Sequence, residues 1–75
     1  MTPAENLRTL AEMTRGPVLA CLIRSAANAT EGGREWMMRY ERLRIEGAMI
    51  MPHSDDKAAI ALALEILGSE IGKQE

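Results

Sequence analysis

The stretch Arg34-Glu35-Trp36-Met37-Met38-Arg39-Tyr40-Glu41-Arg42-Leu43-Arg44-Ile45-Glu46-Gly47-Ala48-Met49-Ile50-Met51 decides the fold, because two periodicities compete in it. Read as a helix from Arg34 to about Glu46, it places Trp36, Met37, Tyr40 and Leu43 on one face and sets Glu35 four residues before Arg39, the favourable order for a surface pair. Read as strand, Arg42-Leu43-Arg44-Ile45-Glu46 alternates strictly and Met49-Ile50-Met51 returns after Gly47, a hairpin over residues 42–51. Arg, Glu, Leu and Met are good helix formers and an isolated short hairpin is marginal in water, so the helix is preferred. Gly47 and Pro52 then bound an irregular connector.

Downstream, Ser54-Asp55-Asp56 has the form of a cap followed by two acids in the first turn, which starts a last helix at Asp55. Between Ala58 and Leu67 only Glu65 is polar. Ile60, Leu64, Leu67 and Ile71 form one stripe, and Leu62 and Ile66 a second, so this helix is expected to be central or shared between copies through residues 58–71. Gly68 and Gly72 mark a fraying end.

Upstream, Thr2-Pro3-Ala4-Glu5 reads as a capped helix start. Leu7, Leu10, Ala11 and Met13 give its apolar face, and Gly16-Pro17 ends it or kinks it. Val18, Leu19, Leu22, Ile23, Ala26 and Ala27 then line a second, largely buried helix, closed by a loop from Asn28 to Gly33. The expected fold is all-α, a compact bundle of three to four short helices in a single domain over residues 1–75, with α+β containing the 42–51 hairpin as the alternative.

Composition bounds the rest. With 75 residues, of which 47% are hydrophobic and 27% charged, the chain is an ordinary globular domain. A domain of that size buries only roughly 60% of the surface its unfolded chain exposes. Phe is absent and Trp36 and Tyr40 are the only aromatics, so Leu, Ile, Met and Ala must build the core. A net charge of -2 gives no general attraction to phosphate backbones or anionic membranes, and no stretch approaches the length of a membrane span. The lone Cys21 lies among Leu19, Ala20, Leu22 and Ile23 as a small hydrophobe, which fits a cytoplasmic protein.

Few residues here carry chemistry. His53-Ser54-Asp55-Asp56 is the only cluster of metal-binding or catalytic type, and helix capping accounts for it. Gly32-Gly33 lacks the Lys and Ser or Thr of a phosphate loop. Arg34, Arg39, Arg42 and Arg44 tempt a nucleic-acid assignment, but Glu31, Glu35, Glu41 and Glu46 cancel them. No metal, cofactor or catalytic residue is therefore assigned.

Contact with a larger protein is the expected activity, as an adaptor or stoichiometric inhibitor acting sterically. The expected face comprises Trp36, Met37, Arg39, Tyr40, Arg42, Arg44, Met49 and Met51, because Trp and Arg concentrate binding energy at interfaces and Met adds adaptable apolar area. In size and style alone, with no matched motif, the chain is similar to small helical accessory proteins of phages such as anti-CRISPR inhibitors. The alternative is a helix-turn-helix DNA-binding regulator acting as a homodimer, for which the region from Pro17 to Glu46 has the lengths but not the charge.

Overall fold

A computed structural model describes the backbone of residues 2–50 and 54–74 and the side chains of residues 2–50 and 56–73. Four helices account for nearly all of it: α1 (Pro3–Met13), α2 (Pro17–Thr30), α3 (Trp36–Met49) and α4 (Ser54–Gln74). The protein is an all-α bundle, and the described residues contain no strand.

Local chemistry sets most boundaries. Thr2 caps α1, its Oγ1 accepting from the Glu5 N–H at 3.2 Å, and Pro3 occupies the first turn where a missing N–H costs nothing. Pro17 repeats the proline in the first turn of α2, where the N-cap Gly16 has no side chain to cap with. That helix runs past the expected loop start at Asn28, because Thr30 is buried and returns its hydroxyl proton to the Ala26 carbonyl at 2.7 Å. Two left-handed residues, Gly33 (φ 77°) and Glu35 (φ 64°), then turn the chain into α3.

Two glycines expected to interrupt helices lie inside them instead. α3 continues through Gly47 to Met49, which replaces the hairpin over residues 42–49 and the start of the connector at Gly47, while residues 51–53 lie outside the described residues. Gly47 is buried because Ile60 of α4 packs over it, 3.5 Å from where a Cβ would stand. Likewise the Tyr40 ring lies 3.6 Å from where a Cβ of Gly68 would stand, and α4 continues through Gly68 and Gly72 to Gln74. The local cost of a helical glycine, about 1 kcal/mol, is offset by the closer approach of the two helices.

These contacts also give the topology. Gly47 meets Ile60 and Tyr40 meets Gly68, so α3 and α4 are antiparallel. Arg39 near the start of α3 reaches Ser25 near the end of α2, and Arg8 of α1 reaches Asn28 and Glu31 beyond the middle of α2. The ring closes where buried Asp56, in the first turn of α4, accepts the backbone N–H groups of Arg15 (3.2 Å) and Gly16 (3.0 Å) at the end of α1. Each helix thus packs on its two neighbours in the order α1, α2, α3, α4 and back to α1. The enclosed core is Leu7, Ala11, Leu19, Ile23, Ala27, Trp36, Leu43, Ala59, Ala63 and Leu67.

Candidate functional site

α3 is turned differently from its expected orientation. Trp36, Leu43 and Gly47 face the core, with the half-buried Tyr40 on the α4 side. Trp36 retains only 6% of its surface, which corrects its place in the expected contact face: the indole is a core residue and is not presented to a partner. Its Nε1 has no hydrogen-bond partner among the described residues. Burial wins because the core has no Phe, and one indole supplies the largest apolar surface the chain possesses. Met37, expected on the same face as Trp36, is turned out and 54% exposed.

The rest of the expected face divides. Arg44 is exposed and pairs with Glu41 at 2.6 Å, and this hydrogen bond, followed by the carboxylate charge, raises its pKa above the ordinary arginine value. Met49 is exposed, and Met51 lies outside the described residues. Arg39 and Arg42 come together with residues that the expected face did not include. Between α2 and α3 lies an open groove of about 420 Å³ lined by Pro17, Val18, Cys21, Leu22, Ser25, Ala26, Arg39, Arg42 and Leu43. Val18 is 59% exposed at its edge, and the Cys21 thiol is exposed rather than packed, correcting its expected burial.

The groove has apolar walls and cationic edges. Arg39 donates from Nη1 to the Ser25 hydroxyl at 3.5 Å, while its Nε is buried without a hydrogen-bond partner among the described residues. Arg42 donates from Nε to Glu46 at 3.4 Å. Neither a carboxylate nor an imidazole belongs to the lining. Val18 and Leu22, expected within the buried stripe of α2, lie at its margin instead, because Leu19, Ile23 and Ala26 take the centre of the face that packs on the core.

Of the cluster read as capping, His53 and the side chains of Ser54 and Asp55 lie outside the described residues. Asp56 is committed to the α1–α2 turn. Among the described residues no three His, Cys, Asp or Glu side chains converge as metal ligands, and no helix is long and apolar enough to cross a membrane. The chain matches no protein-family model, no curated protein and no solved structure.

Proposed function

We propose that the protein is a non-enzymatic binding module, an adaptor or stoichiometric inhibitor, that takes an acidic amphipathic helix of a larger protein into the α2–α3 groove and covers the surface to which that helix belongs. The observation that carries this reading is the groove's composition: apolar walls from Val18, Leu22 and Leu43, two guanidiniums at the edge and no carboxylate in the lining. A helix laid in such a groove buries its apolar side against the walls. Its carboxylates meet the guanidinium groups of Arg39 and Arg42 at the groove edge. The lining supports binding rather than turnover, since it offers no carboxylate or imidazole as a general base.

The helix-turn-helix alternative finds less support. A recognition helix needs an uncompensated basic face, and α3 pairs Arg42 with Glu46 and Arg44 with Glu41 while turning Met38, Ile45 and Met49 outward.

Affinity capture with wild-type, Val18→Asp and Arg39→Glu chains tests the proposal. A partner held stoichiometrically by the wild type is lost from both groove variants and retained by Leu62→Ser, which alters an exposed side chain of α4. Capture unchanged by both groove variants contradicts it, as does a salt-sensitive shift of duplex DNA by the wild type.

A further inference from the structure

The outward side of α3 carries a row of which the groove takes only Arg42. Met38, Arg42, Ile45 and Met49 follow one another at intervals of four, three and four, the spacing of a helix seam. Met38, Ile45 and Met49 are 58%, 51% and 76% exposed. The row is palindromic: reversing α3 about the point midway between Leu43 and Arg44 carries Met38 onto Met49 and Arg42 onto Ile45. A row with that property is complementary to itself when two helices meet antiparallel across a two-fold axis.

The charges agree with the spacing. A two-fold axis keeps each flank of the row beside the same flank of the other copy. The flank towards α2 holds Arg39 and, seven residues on, Glu46. Reversal therefore brings Arg39 of each copy alongside Glu46 of the other, opposite charges on both sides of the axis. Arg42, the cation within the row, is already paired with Glu46 of its own helix. We infer that two copies of this chain associate through antiparallel α3 helices, forming a closed dimer. The same symmetry sets both α2–α3 grooves on one side of the dimer, with Arg39 on the border between groove and seam, and the pairing needs no occupant in the groove.

Sedimentation equilibrium of the full chain over a wide concentration range tests the dimer. The wild-type mass rises from one chain to two and stops there. Ile45→Glu keeps the helical circular dichroism and weakens association by at least about tenfold, as does Met49→Glu at the end of the helix, whereas Leu62→Glu on α4 leaves it unchanged. In a Cys21→Ser background, a mixture of Met38→Cys and Met49→Cys chains oxidises to a mixed disulfide, and neither variant cross-links alone, because only the antiparallel register brings positions 38 and 49 together. Four results overturn the inference: a wild type monomeric at every concentration, folded glutamate variants that associate as tightly as wild type, loss of the dimer in Leu62→Glu, or cross-linking of either cysteine variant by itself. Partner capture by Val18→Asp reads the groove apart from Arg39, which borders both surfaces, so failure of one proposal does not imply failure of the other.

Discussion

Between Ala58 and Leu67, α4 carries a single polar side chain, whereas α3 mixes charges of both signs along its length. Yet α3 leaves the larger apolar surface outside. α4 buries Ala59, Ala63 and Leu67, half-buries Ile60, Leu64 and Ile66, and of its large hydrophobic side chains leaves only Leu62 as much as 50% exposed among the described residues. α3 exposes Met37, Met38, Ile45 and Met49 while Trp36 and Leu43 take its buried face. Apolar content therefore says how much surface a helix has to hide, and phase relative to its neighbours says which part is hidden. α4 sits between α1 and α3, so both sides of its apolar surface find cover within one chain.

Truncation breaks or confirms that contrast most sharply. Leu67→Ala in α4 loses about 2–5 kcal/mol and Trp36→Ala in α3 about 3–5 kcal/mol of unfolding free energy, because each opens a cavity in the core. Met49→Ala and Leu62→Ala, on the outer sides of the same two helices, change monomer stability by no more than about 0.5 kcal/mol. Urea unfolding followed by circular dichroism measures all four, and equal losses from inner and outer positions would erase the distinction.

The corner where α4 begins comes next. Asp56→Ala leaves the Arg15 and Gly16 N–H groups without their acceptor and costs about 1–3 kcal/mol. Gly16→Ala strikes the same contact from the other side, since its Cβ would stand 2.7 Å from Asp56 Oδ2. The double variant should therefore lose less than the sum of the two single losses. Strict additivity would mean that the carboxylate does not couple α4 to the α1–α2 turn.

Entry into α3 gives a smaller effect of opposite sign. Glu35 holds a left-handed conformation that glycine adopts without penalty, so Glu35→Gly should raise stability by roughly 0.5–1 kcal/mol. Unchanged or lower stability in the same urea titration would contradict the strained entry.

The smallest effect lies on the surface between α1 and α2. Arg8 donates to Glu31 at 2.9 Å, and this hydrogen bond, followed by the guanidinium charge, lowers the Glu31 pKa from its ordinary 4.5. The contribution is complete above the unfolded value and is lost as pH falls through the depressed folded one. Glu31→Gln should thus leave a shallower decline of stability in acid than wild type shows, and parallel declines would remove the linkage.

Much of the fold was legible in the chain. Thr2-Pro3 announces the first helix start, Gly16-Pro17 marks the break before the second, and the apolar spacings give an all-α bundle of three to four helices, of which the structure has four. What stayed hidden depends on contacts distant in sequence. Gly47 and Gly68 read locally as breaks, and only Ile60 and Tyr40 across the interface make them sites of close approach. Asp56 reads as an acid favoured by a helix dipole, while its actual partners lie 40 and 41 residues away. Of the groove, the chain's own pattern drew attention to Arg39 and Arg42 but not to the apolar walls beside them, and the preference of aromatics for interfaces pointed Trp36 outward when the core had a stronger claim on it.

Because Trp36 is the only tryptophan, acrylamide quenching of its fluorescence reports the rotation of α3 directly. Burial of the indole predicts blue-shifted emission and quenching far weaker in the native protein than in denaturant. Native emission as red and as readily quenched as that of the unfolded chain would mean that α3 is turned the other way, with Met38, Ile45 and Met49 inside and the proposed surfaces gone.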